Sequence, residues 1–217
     1  MEFCVLTSLC LAAQVQSYTS SSNKNKLITM KLYLLMLVAA SSVQAFKLKE
    51  DKVKVLLYDD PDCHWCQLFM TEQLQPTFKE IGDIMEVEVN TYGFTQEPYE
   101  AGEFINNRIM ECAQLYTSDT GVFLDFAACF MPDPHDGSGC ASKFGIDWNT
   151  ISTCAEGDEG INLLHEAGVR EDAQEPVVWF YPWIAINGVG PNTEAQDNLK
   201  AEVCKAYTGT PPPACST

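Results

Sequence analysis

Basic residues are scarce in this chain: 13 Lys and Arg stand against 30 Asp and Glu, a formal net charge of −17. Nucleic acid is therefore excluded as a partner, because a phosphate backbone is held by surplus Lys and Arg. Histidine is scarcer still, with three copies. His135 and His165 stand alone, and no second Cys-x-x-Cys is present, so a zinc site would lack its second ligand pair. There is no Asn-x-Ser/Thr sequon, which excludes an N-linked glycan. No internal repeat is visible, and low complexity is confined to the Pro211-Pro212-Pro213 stretch. The acidity favours solubility, and carboxylates that neutralise in an acidic lumen would repel one another less there.

What is present reads as a folded domain, with 46% hydrophobic and 11% aromatic residues. Residues 30–45 have the layout of a secretory signal peptide: Met30-Lys31, an apolar run from Leu32 to Ala40, and the small-x-small Val43-Gln44-Ala45. That run is too short to span a bilayer. Cleavage is expected near Phe46, leaving 46–217 as a single domain with no membrane span. The competing reading is a signal anchor over 1–45, although Ser17 to Lys26 breaks its apolar character. Residues 1–29 read as an upstream extension or a mis-assigned start, because Met30 opens a complete signal by itself. Past Ala45, ten Lys and Arg face twenty-nine Asp and Glu.

Eight cysteines follow Ala45, an even number behind a signal peptide, which implies an oxidising compartment and a disulfide framework. Val53 to Tyr58 predicts a buried strand closed by Asp59-Asp60-Pro61. Cys63-His64-Trp65-Cys66 comes at once, and Trp65, Leu68, Phe69, Leu74 and Phe78 recur at helical spacing, so Cys63 should begin a helix that Pro76 kinks or ends. Met85 to Tyr92 alternates like a strand, and the stretch from about 103 to 171 reads as a helical insertion. Trp183 to Ile186 predicts a strand turning through Asn187-Gly188 into a hairpin partner, and Thr193-x-x-Gln196 predicts a capped helix to about Tyr207. The order is that of an α/β, thioredoxin-like fold with a helical insertion, stabilised by disulfides.

A disulfide exchanger needs a thiolate that attacks and a second thiol near enough to resolve the mixed disulfide. A Cys-x-x-Cys at a helix start supplies both, because unpaired N–H groups and the positive helix end favour an anion at the first cysteine. Cys63 is thus the expected attacker and Cys66 the resolver. A protonated His64 would add a positive charge beside the thiolate. Trp65 and Trp183 are candidates for an apolar lip, although large aromatics are more often core. The competing reading of the pair is a static structural bridge. For the other six cysteines spacing suggests Cys204–Cys215 to tie down the C-terminal end, Cys129–Cys140 across the turn-rich 132–139 loop, and Cys112–Cys154 to join the two ends of the insertion. His165 is expected to be structural, and Asp158 and Glu159 to serve a helix first turn.

With those residues in hand the chain resembles the gamma-interferon-inducible lysosomal thiol reductase family. The likeness rests on Val55-x-Leu57-Tyr58 before the motif, Leu74-x-Pro76-Thr77, Tyr92-Gly93-x-x-Gln96-Glu97, Cys154-Ala155-x-Gly157-Asp158-x-Gly160 with Leu164-His165, Pro182-Trp183-Ile184-x-Ile186-Asn187-Gly188, Val203-Cys204 and Cys215. Of the family's Cys-Gln-His-Gly, Glu-Cys and Asn-x4-Cys signature only Asn107-x4-Cys112 is intact, with Glu103 in the place of Glu-Cys. The two missing cysteines leave the count even. The resemblance implies reduction of protein disulfides at acidic pH in endosomes or lysosomes, with disulfide-containing proteins as substrates and a small-molecule or protein thiol as donor. No cofactor and no metal are expected. Fold context implies a cis-proline at Pro182, with the backbone beside it and Tyr181 free to meet substrate. The alternatives are a disulfide oxidase or isomerase of the secretory pathway, or a non-catalytic peptide-binding module with a static Cys63–Cys66 bridge. Secretion and a lysosome-like or vacuole-like lumen are both open destinations.

Overall fold

The computed structural model describes residues 51–95 and 104–216. The expected signal segment, Gln96-Glu97 and Glu103 lie outside them. Strand β1, Val53–Asp59, lies at the centre of a three-stranded sheet of order β2-β1-β3. It pairs in parallel with β2, Met85–Thr91, and antiparallel with β3, Trp183–Ile186. Leu57 faces Val89 on one side and Ile184 on the other. The apolar run of β3 follows from its burial along its whole length, because a strand covered on both faces has no polar side to alternate with.

Between β1 and β2 runs a helix in three pieces: α1, His64–Leu68, a π-helical stretch Phe69–Leu74, and α2, Gln75–Ile81. Pro76 therefore neither ends the helix nor needs a normal i−4 partner. The wider π turn precedes it, and Pro76 occupies the first turn of α2, where its missing N–H leaves no bond unmade. Five helices form the insertion: α3 Ile105–Tyr116, α4 Thr120–Phe130, α5 Gly137–Phe144, α6 Trp148–Glu156 and α7 Asp158–Asp172. Their apolar faces close over the redox helix, burying Met70, Leu74, Met110, Phe126 and Phe130.

Disulfides join Cys112 to Cys154, Cys129 to Cys140 and Cys204 to Cys215, with Cα separations of 6.1, 5.7 and 5.6 Å. The first ties α3 to α6 inside the core. The last holds the C-terminal turn Pro213–Ser216 against α8, Glu194–Ala206.

Two local expectations are corrected. The hairpin after β3 turns at Asn187 (φ 51°) and Gly188 (φ 79°) as its dipeptide predicts, but no fourth strand follows among the described residues. The return is a single bridge between Ile186 and Val189, because Pro191 has no N–H to continue the ladder. At α8 Thr193 makes no side-chain cap, and the Asn192 side chain accepts the Ala195 N–H at 3.0 Å instead. Gln196, expected to complete a capping box, donates its amide to the Pro182 carbonyl at 2.8 Å.

The insertion is seated on the sheet by a backbone-to-backbone contact. A Cβ on Gly168 of α7 would come within 2.7 Å of the Phe94 backbone, and one on Gly93 within 2.4 Å of the Gly168 nitrogen. Both positions need the missing side chain because neither backbone can retreat.

Candidate active site

The β1 strand delivers its C-terminal end to a short loop, Asp60 to Asp62, and the chain re-enters helix at Cys63. The Cys63 N–H bonds the Asp60 carbonyl at 3.0 Å, which closes the turn, and Cys63 is the N-cap of α1. Two side chains of α3 hold this loop from outside. Asn106 donates to the Asp62 carboxylate at 2.7 Å, and the buried Asn107 donates to the Tyr92 carbonyl at 3.1 Å and to Asp60 at 3.4 Å.

Cys63 and Cys66 are both free thiols, the first half-buried and the second buried. One turn of helix puts Cys66 beneath Cys63, where its sulfur accepts the Asp60 N–H at 3.4 Å. Burial pushes the Cys66 thiol up, the Asp59 carboxylate pushes it further, and the Asp60 N–H opposes both. His64 and Trp65 project into solvent with ring centroids 5.6 Å apart, Trp65 being 67% exposed.

Across from Trp65 lies the segment before β3. The Tyr181–Pro182 peptide is cis, and Pro182 shares a cavity of about 470 Å³ with Trp65, Leu68 and Phe69. The Tyr181 hydroxyl donates to Glu171 of α7, and its ring meets Tyr92 edge-on at 5.6 Å. Trp183 is fully buried and stacks edge-on against Tyr58 at 5.5 Å, so it belongs to the core and not to an exposed lip. Of the motif, Trp65 shares a cavity with Tyr181 and Pro182. His165 lies elsewhere, its Nδ1 buried without a hydrogen-bond partner among the described residues.

The sequence reading missed the acidic groups behind the dithiol. Asp59, read as a turn residue, is the last residue of β1, fully buried, and neither carboxylate oxygen has a hydrogen-bond partner among the described residues. Desolvation raises its pKa well above the usual range, and the nearby Asp60 and Glu111 add to the rise. Glu111 is itself buried. It accepts the Thr91 N–H at 3.0 Å and Arg170 at 2.9 Å, while Arg170 also donates to Asn90. This network stitches α7 and α3 to the sheet. Its only advance signal is a pair of acidic and basic residues on otherwise apolar helix faces.

A dithiol entering a helix from the central strand, beside a proline that precedes the antiparallel strand, defines a thioredoxin-like thiol-disulfide oxidoreductase. Solved structures of that class share the fold. The reduced form of the disulfide bond oxidoreductase DsbG from Mycobacterium tuberculosis superposes with a TM-score of 0.56 at 17% identity, covering 76% of this chain and 84% of that one. BdbD from Bacillus subtilis in its oxidised state gives 0.54 at 15% identity, covering 72% and 88%.

Sequence comparison narrows the class. The model of the family described as gamma interferon inducible lysosomal thiol reductase matches residues 54–144. A gamma-interferon-inducible lysosomal thiol reductase of Carassius auratus is 29% identical over 189 residues, 79% of this chain and 75% of that protein. A gamma-interferon-responsive lysosomal thiol protein of Arabidopsis thaliana is 24% identical over 91% of this chain and 88% of its own length. The chain is similar to this family across its redox motif and the first part of the helical insertion.

Proposed function

We propose that the protein reduces disulfide bonds of polypeptide substrates by exchange through Cys63 and Cys66. The observation that carries the reading is the free pair itself: a half-buried thiol at a helix N-cap above a buried one, while the other six described cysteines are bonded. In this reading the nucleophile is the thiolate of Cys63, at the N-cap of α1. That thiolate attacks one sulfur of the substrate disulfide, forms a mixed disulfide and expels the other substrate sulfur as a thiolate that takes a proton from water. Cys66, on losing its proton, attacks the Cys63 sulfur. The bond to substrate breaks, the second substrate thiol leaves, and Cys63–Cys66 is left oxidised. Two electrons from a small-molecule or protein thiol donor restore the dithiol.

His64 is the residue proposed to tune Cys63 when protonated, and Trp65, Tyr181 and Pro182 are proposed to meet the substrate. The three structural bonds, with the lysosomal names of the relatives, support an oxidising and acidic lumen of the secretory pathway. Among the described residues no helix is long and apolar enough to cross a membrane.

Cys63→Ser should abolish reduction of insulin disulfides at about pH 4.5 and about pH 7 alike, because it removes the attacking sulfur. Unchanged activity at both would defeat the reading. One observation favours oxidation instead, namely a histidine inside the motif, which stabilises the dithiol when charged. A reduction potential near about −120 mV would mark an oxidase, and one near about −270 mV a reductase.

A further inference from the structure

We propose that the cavity beside the dithiol selects polypeptide segments in which the target cystine is flanked by a large apolar or aromatic residue and a Lys or Arg. This rests on the exchange reading above and names the substrate class it would act on.

Position is the first argument. The cavity of about 470 Å³ is bounded on one side by Trp65, which stands between the two cysteines, and on the other by Pro182. Trp65 is two residues from Cys63, so a chain disulfide-bonded to Cys63 is placed along this cavity. Its volume is in the range that accepts a large side chain.

Its walls are apolar. Trp65 exposes two thirds of its surface, and Leu68, Phe69 and Phe180 add further apolar lining. Trp179, 78% exposed, packs edge-on against Phe180 at 4.6 Å and extends the aromatic surface beyond the cavity. Exposed aromatics next to a reactive group are an unusual cost in water unless a partner covers them. Gln196, bonded to the Pro182 carbonyl at 2.8 Å, joins the two walls, so the groove is pre-formed.

Charge supplies the second preference. Glu72 and Asp197 line the cavity, both exposed and neither with a partner among the described residues, and no Lys or Arg lines it. Lys79 and Lys200, on the same helices, are instead paired with Asp125 and Glu80 at 2.9 Å. A net charge of −17 adds a field of the same sign. A cationic segment is attracted and an acidic one repelled, while the aromatic walls accept the apolar neighbour.

The test compares disulfide-linked peptides, identical except that the residues beside the cystine are Trp-Lys, Trp-Glu or Ser-Lys, with hydroxyethyl disulfide as a small uncharged probe. At low salt kcat/KM should favour Trp-Lys over Trp-Glu by about three- to tenfold, the effect of one or two exposed charge pairs. It should favour Trp-Lys over Ser-Lys by about tenfold through apolar burial. The double variant Glu72→Lys/Asp197→Lys should reverse the Lys-over-Glu preference. With the unaltered protein, raising salt to about 1 M should erase the charge preference and leave the Trp preference, because screening then acts within ~3 Å. Equal rates for all three peptides, with hydroxyethyl disulfide still reduced, would overturn the groove assignment while leaving the exchange chemistry standing. Reduction of none of the four would overturn the exchange reading and this inference with it.

Discussion

Replacing Asp59 by Asn should stabilise the protein at neutral pH, although it alters a buried residue beside the redox pair. The carboxylate is fully buried, its two oxygens have no hydrogen-bond partner among the described residues, and Asp60 and Glu111 lie close enough to oppose its charge. Its pKa in the fold is thus well above the usual range, whereas in the unfolded chain it titrates near about pH 4. Between those two values the native state still holds a proton that the unfolded state has released, so stability falls as pH rises through that window. Below about pH 4 both states are protonated and the penalty is absent. Asn keeps the shape and removes only the charge. Asn cannot ionise, so the variant should gain stability over the parent at pH ~7 and lose that advantage at pH ~3. Each kcal/mol gained corresponds to about 2–4 °C in Tm for a domain of this size. Above the folded pKa of Asp59 the same change removes a negative charge that pushes the Cys66 thiol up, so there Cys66 should alkylate faster. The assay is thermal unfolding of both proteins from about pH 3 to 8, with iodoacetamide trapping of Cys66. A loss of stability at neutral pH, or a gain as large at pH ~3 as at pH ~7, would refute an unpaired ionised carboxylate at this position.

Removing the Cys112–Cys154 bond with paired alanines should cost about 4 kcal/mol, since it closes a separation of 42 residues. The Cys204–Cys215 or Cys129–Cys140 bond, each spanning 11, should cost about 3 kcal/mol, and urea unfolding midpoints would rank them. Gly168→Ala should lower stability by about 1–3 kcal/mol despite better helix propensity, because the added methyl meets the Phe94 backbone at 2.7 Å. An unchanged Tm would show that α7 does not bear directly on the end of β2.

The parts of the molecule written in local chemistry were legible. A β-branched run, an Asp-Pro turn and a Cys-x-x-Cys entering a helix are neighbours in sequence and in space, so β1, the loop and α1 follow one another as the pattern dictates. Trp183 was ambiguous because β3 is buried along its whole length. Without alternation, nothing in the sequence distinguishes a core tryptophan from one facing a groove. The shortened hairpin turns on Pro191, whose missing N–H outweighs the Asn-Gly signal three residues earlier. Asp59 was hidden for a different reason. A carboxylate after an apolar run normally marks the strand's exit to water, and its burial depends on α3 and α7, more than forty residues away in sequence. The groove joins residues 65–73, 180–182 and 196–197, three segments that no local pattern connects.

Asp59 is not alone in its titration behaviour, and the set bears on where such a protein works. Asp60, Glu111 and Glu171 also hold their protons to higher pH than free carboxyls, in each case first because burial opposes the charge. All four lie around the loop that presents Cys63 or beneath the Tyr181 side chain. Raised acidic pKa values mean that native stability is least where these groups are ionised and recovers as pH falls through their folded values. Asp125, Asp147 and Glu202 are shifted the other way, by hydrogen bonds or cationic neighbours, and their contributions weaken in acid. Asp147 is exposed, and the Asp125 and Glu202 side chains, 22% and 18% exposed, pair with the exposed Lys79 and Lys205, so solvent screens these contributions. The buried groups dominate the balance, and mild acid relaxes the repulsion stored behind the dithiol. A chain with 30 acidic residues then gains from the very condition that would expose unscreened cationic surfaces to repulsion in a basic protein. The raised groups around the redox loop are compatible with the acidic lumen proposed from the relatives.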